Sequence, residues 1–124
     1  MKKEIGIIGL GSMGRAIAYN LKKKYKIFGY DVKKHNNIRS TKNFTLVNNL
    51  KEIYLKTNTF IIIVLNENQC EKILNTFIKI KKNRKINKKY TLINCTTVSP
   101  NWVDKVYKNL KENNFEYIDC PVSG

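Results

Sequence analysis

A chain of 124 residues matches one domain with one core, and it contains no run of about 18 apolar residues of the kind that crosses a membrane as a helix. The net charge of +15 comes almost wholly from lysines scattered through helix ends and loops, and no nucleic-acid motif accompanies them, so they read as solvated faces rather than as a specific nucleic-acid surface. The three cysteines, Cys70, Cys95 and Cys120, are odd in number, widely spaced and without a C-x-x-C, so they indicate neither a disulfide framework nor a zinc site and read as buried small side chains.

Residues 1–3 lead straight into an apolar run, leaving no room for a signal or transit peptide, and the expected setting is cytoplasmic. That run, residues 4–9, reads as a buried strand. It ends in Gly9, Gly11 and Gly14, spaced G-x-G-x-x-G, and opens into Met13, Ala16, Ile17 and Leu21 at helical spacing. A strand-to-helix turn of this kind needs glycine three times for different reasons: a tight turn at Gly9, close approach of a pyrophosphate at Gly11, and close helix–strand packing at Gly14. The helix then presents free N–H groups and a partial positive charge to phosphates. Ser12 is its expected cap, and the helix should run to Lys24. The next strand, residues 25–31, closes on Asp31, the acid expected about 20 positions on to take the ribose hydroxyls.

Residues 33–43 are polar and without apolar periodicity, so the crossover there should be abbreviated. A short strand at 44–47 follows, then Asn48 or Asn49 capping a helix that carries Leu50, Ile53 and Tyr54. The run Thr59 to Leu65 has the length and β-branched content of a strand buried on both faces. Beyond Asn66, an apolar stripe of Cys70, Ile73, Leu74, Phe77 and Ile78 predicts a helix that leaves through a solvated basic loop at 79–89. A strand at 90–95 and a helix begun by Ser99-Pro100, carrying Val103, Val106, Tyr107 and Leu110, come next. Residues 115–119 make the last strand. The alternation predicts an α/β, Rossmann-type doubly wound parallel sheet of order 3-2-1-4-5-6.

Three stretches in order, IGIIGLGSMGRAIAYNL at 5–21, CTTVSP at 95–100 and DCPVSG at 119–124, resemble the signatures of the 3-hydroxyisobutyrate dehydrogenase family, the β-hydroxyacid dehydrogenases related to 6-phosphogluconate dehydrogenase. The resemblance covers the whole chain and implies the NAD(P)-binding domain, residues 1–124, of an oxidoreductase passing a hydride between nicotinamide and a small 3-hydroxy acid or semialdehyde. By the same resemblance Gly9, Gly11, Ser12, Met13 and Gly14 hold the pyrophosphate and Asp31 the adenosine ribose. Leu65, Asn66, Asn68 and Thr97 line the nicotinamide, and Ser123 and Gly124 bind the substrate carboxylate. Asp31 points to NAD in preference to NADP.

Leu65-Asn66 stands where the family commonly has Leu-Pro. The family's catalytic lysine belongs to an all-helical second domain, which also supplies its homodimer contacts, and neither falls within these 124 residues. No catalytic residue and no metal ligand is therefore nominated, and the isolated chain, a fragment or truncated product, is expected to bind cofactor without turnover. The competing expectation is a stand-alone, non-catalytic dinucleotide-binding module; a charge-driven nucleic-acid binder is a third.

Overall fold

Short apolar runs alternating with amphipathic stretches fold into one parallel sheet flanked by helices. The computed structural model describes residues 2–85 and 88–122. In chain order the elements are β1 (Glu4–Ile8), α1 (Ser12–Leu21), β2 (Lys26–Tyr30), β3 (Phe44–Leu46), α2 (Leu50–Lys56), β4 (Thr59–Ile62), α3 (Glu67–Arg84), β5 (Tyr90–Asn94), α4 (Pro100–Glu112) and β6 (Phe115–Asp119). The sheet order is β3-β2-β1-β4-β5-β6 with every pairing parallel, as the alternation predicts. Ile8 at the end of β1 pairs with Tyr30 on one side and Ile62 on the other. The chain therefore diverges in opposite directions from the carboxyl ends of β1 and β4, which is where ligands bind in open α/β sheets.

Helices cover the two faces unequally. On one face α2, α3 and α4 bury Ile53, Tyr54, Phe77, Trp102 and Leu110 against Phe60, Leu92 and Tyr117 of the sheet. The rings of Tyr54 and Tyr90 lie 4.6 Å apart at its centre, and those of Phe60 and Phe77 4.8 Å. On the other face α1 packs Ala18 and Ile17 over Ile5, Ile7, Ile27 and Phe44, with Ile38 from the β2–β3 connection completing the cluster. That connection carries no helix among the described residues, which accounts for its lack of apolar periodicity. Over β5 and β6 this second face is thinly covered, and Ile118 is 42% exposed.

Several sequence expectations are corrected, the first being the end of α1, which is Leu21 and not Lys24. The run Thr59 to Leu65 is a strand only as far as Ile62, which pairs with Ile8 at the end of β1, and it is not buried on both faces: Phe60 and Ile62 are buried, Thr59 and Ile61 half-buried. Helix α3 continues through Lys79 to Arg84 instead of ending in a basic loop. Lys81 within it is buried, its ammonium 4.9 Å from the Phe115 ring centroid and 5.6 Å from that of Tyr90, with its Nζ donating to the Asn113 carbonyl. The aliphatic stem packs while the charged head finds π faces and a carbonyl. Cys120 is exposed, unlike Cys70 and Cys95; it lies just past β6, the outermost strand of the sheet among the described residues. In α4, finally, Tyr107 is exposed and Trp102 takes the buried place.

Candidate functional site

The turn after β1 is built from glycine geometry. Gly9 has φ of +108°, and a β-carbon there would stand 1.8 Å from the Ile63 carbonyl oxygen. A β-carbon on Gly14 would stand 1.9 Å from the carbonyl oxygen of Gly9, so helix and strand meet backbone to backbone. At Gly11 a β-carbon would meet nothing within 4 Å. The three glycines thus divide into two that the fold requires and one that faces open space. In front of that space lies the amino end of α1.

Here the structure departs from the expected cap. The N-cap of α1 is Gly11, and among the described residues no side chain, Ser12 included, accepts a hydrogen bond from its first turn, nor is any acidic residue present there. Ser12 is instead the first helical residue and is exposed; Met13 is half-buried. The other three helices are each capped by a side chain: Asn49 Oδ1 accepts from Glu52 N, Asn66 Oδ1 from Gln69 N, and Ser99 Oγ from Trp102 N. Free N–H groups and the helix dipole at α1 make a receptor for an anion that can approach within the radius a side chain would have filled.

Asp31, just past β2, joins the same edge. Its Oδ2 accepts from the Leu10 N–H at 2.7 Å and lies 3.1 Å from His35 Nε2, while its Oδ1 accepts from the Lys33 N–H at 2.9 Å. Burial alone would raise this carboxyl, but the hydrogen bonds from Lys33, Leu10 and His35 outweigh it and hold the group below the usual carboxylate range. The acid is therefore an anion fixed to the glycine turn. His35, the chain's one histidine, was not among the sequence candidates; its place one helical turn's spacing after Asp31 was the available signal.

On the far side of the cleft lie the carboxyl ends of β4 and β5. Leu65 is 82% exposed, and Asn66, Asn68 and Thr97 are exposed as well. Asn66 also caps α3, and Gln69 Oε1 accepts from Leu65 N at 2.8 Å, so the loop is fixed from both ends. Beneath it Thr96 is buried and its Oγ1 accepts from Val64 N at 2.9 Å. Asn94, also buried, accepts from Thr96 N with its Oδ1 and donates from Nδ2 to the Tyr117 hydroxyl. These two supporting residues went unnoticed in the sequence, although the period of two through Tyr90, Leu92 and Asn94 points inward to Thr96. Ser123 and Gly124 lie outside the described residues.

An uncapped helix start after a glycine turn, with a fixed acid at the end of the neighbouring strand, defines a dinucleotide-binding α/β domain. The residues fit that ligand on their own geometry, since the open position at Gly11 and the bare first turn of α1 lie where a pyrophosphate would rest. Residues 4–124 match the NAD binding domain of 6-phosphogluconate dehydrogenase, and the chain belongs to that family. A curated relative, the mitochondrial 3-hydroxyisobutyrate dehydrogenase of Drosophila melanogaster, is 31% identical over 98% of this chain and 37% of its own length. Among solved structures, the 3-hydroxyisobutyrate dehydrogenase of Mycobacterium tuberculosis with L-serine superposes with a TM-score of 0.80 at 17% identity, over 100% of this chain and 42% of that one. An imine reductase variant from Myxococcus stipitatus in complex with NAD+ gives 0.79 at 15% identity, over 94% of this chain and 40% of that one. Identities so low speak for the fold, and the chain spans about two fifths of the length of these relatives.

Proposed function

We propose that residues 1–124 are the cofactor domain of a β-hydroxyacid dehydrogenase, holding NAD in preference to NADP and working on a small 3-hydroxy acid or semialdehyde as part of a larger protein. The observation that carries this reading is the bare amino end of α1 facing the open position at Gly11, with the Asp31 carboxylate held beside it by Leu10 N–H. In this reading Gly9, Gly11, Ser12, Met13 and Gly14 cradle the pyrophosphate and Asp31 takes the adenosine ribose. Leu65 offers the nicotinamide an apolar surface, with Asn66, Asn68 and Thr97 around it. Ser123 and Gly124 receive a substrate carboxylate.

When bound, the nicotinamide would supply or accept the hydride. This chain's own residues bind and orient it, and those assigned to the nicotinamide side include no group that ordinarily titrates near neutrality. The 124 residues are accordingly proposed to bind cofactor without sustained turnover. Preference for NAD follows from charge: a carboxylate about 4 Å from a 2′-phosphate costs roughly 1 to 4 kcal/mol between water-like and surface dielectrics. Titrating the chain with NAD and NADP by calorimetry tests the reading. Tighter NAD binding supports it, equal or tighter NADP binding overturns the preference, and no binding of either overturns the site.

A further inference from the structure

We infer that His35 is a specificity-determining residue that acts through Asp31, so that discrimination between the two dinucleotides depends on pH. The inference rests on the dinucleotide reading and goes beyond it, since nothing in the glycine turn or in Asp31 alone calls for a titratable partner.

The geometry is specific. Asp31 Oδ2 is shared between the Leu10 N–H at 2.7 Å and His35 Nε2 at 3.1 Å, and the Asp31 and His35 side chains are only 16% and 20% exposed. The charged groups on this loop are Asp31, Lys33, Lys34, Arg39 and Lys42; α1 carries Arg15, and Lys22 directly after it donates from Nζ to Thr41 Oγ1. The β1–α1 turn contributes the uncharged Leu10 N–H. Among the described residues Asp31 is the partner that contacts His35 as an ion pair.

Histidine is the side chain whose ordinary titration falls between pH 5 and 8. With a neutral imidazole, the carboxylate keeps its full negative charge toward the ribose 2′ position and rejects a phosphate there. Once protonated, the imidazolium offsets that charge at contact distance. A ribose hydroxyl needs only an acceptor, and Asp31 remains one in both states. Acidification therefore favours NADP selectively and leaves NAD nearly unaffected.

The 2′-phosphate itself loses a charge near pH 6, which also eases its entry at low pH, so the test must separate the two titrations. Dissociation constants of NAD and NADP are measured between pH 5.5 and 8.5 for the wild type, His35→Gln and His35→Lys. In the wild type the ratio of NADP to NAD dissociation constants should rise about tenfold or more across that range, the equivalent of one pKa unit of differential interaction. His35→Gln should retain only the shallower part due to the phosphate. His35→Lys, a permanent cation, should bind NADP at pH 8 several-fold more tightly than wild type, with the same shallow profile. A wild-type profile indistinguishable from that of His35→Gln overturns the role of His35 while leaving the dinucleotide site standing. Failure of both dinucleotides to bind at any pH overturns the two together.

Discussion

A β-carbon on Gly14 would collide with the carbonyl oxygen of Gly9, whereas one on Gly11 would touch nothing. Spacing alone makes the glycines look equivalent, yet they serve different masters. Gly14→Ala should force α1 away from β1 and destabilise the domain by about 1–3 kcal/mol or more, read by urea unfolding. Gly11→Val should unfold with a midpoint close to wild type and fail to bind either dinucleotide. Undiminished affinity in a folded Gly11→Val chain would remove the pyrophosphate from this turn.

Asp31 links the fold to acidity. Its carboxyl titrates below its unfolded value, so the stability it contributes is fully present above the unfolded pKa of about 3.9 and is lost as pH falls through the lower folded value. Below about pH 4 the difference in stability between wild type and Asp31→Asn should therefore shrink, because the contribution of the carboxylate is lost there. A gap that widens between about pH 4 and about pH 2 would reverse the sign of this argument. Denaturant midpoints at a series of pH values measure it.

Thr96 gives Val64 N–H its acceptor from a buried position. Thr96→Val preserves shape and removes the oxygen, leaving a backbone donor without its partner, which should cost about 1–3 kcal/mol. Thr96→Ser keeps the oxygen and should recover most of that loss. A Thr96→Val chain as stable as wild type would show that the hydroxyl is not needed there.

Lys81 sits where a sequence reader expects a solvated cation. Its head lies over the Phe115 and Tyr90 rings and donates to the Asn113 carbonyl, joining α3 to the end of α4. Lys81→Ala should lower stability by about 1–3 kcal/mol through lost cation–π contact, hydrogen bond and stem packing together. Lys81→Met, which retains the stem, should lose less, whereas Lys82→Ala at an exposed neighbour should fall within about 0.5 kcal/mol of wild type. Thermal or urea unfolding of the three variants ranks them.

For catalysis, the chain incubated with NAD and a panel of 3-hydroxy acids should bind cofactor and give no sustained rise in reduced-nicotinamide absorbance. General acid–base groups contribute typically about 10²- to 10⁴-fold in rate, and none is assigned at the nicotinamide side. Turnover above background that disappears in Gly11→Val would refute this.

The sequence made the sheet order readable because alternating strands and helices at short spacing leave few topologies, and right-handed crossovers prune those. Gly9, Gly11, Gly14 and Asp31 were readable because a glycine turn between strand and helix is a local signal. What escaped depended on contacts distant in the chain. Lys81 meets Phe115 and Asn113 only across the fold, Asn94 and Thr96 acquire their partners from β6 and from Val64 beyond β4, and β4 ends where its neighbour β1 ends. Asn66, expected at the nicotinamide side, caps α3 and so has a structural task that its spacing from the glycine turn does not reveal.

The strand order has a consequence for how the sheet can be assembled. β2 adds to one side of β1 and β3 adds outside β2; β4 then adds to the free side of β1, followed outward by β5 and β6. Each newly synthesised strand therefore finds its neighbour waiting as an open edge, and none has to be threaded between two strands already paired. A chain emerging from its amino end can build this parallel sheet by successive edge addition in the order of translation, which spares it the reopening of earlier pairings that a strand inserted late would demand.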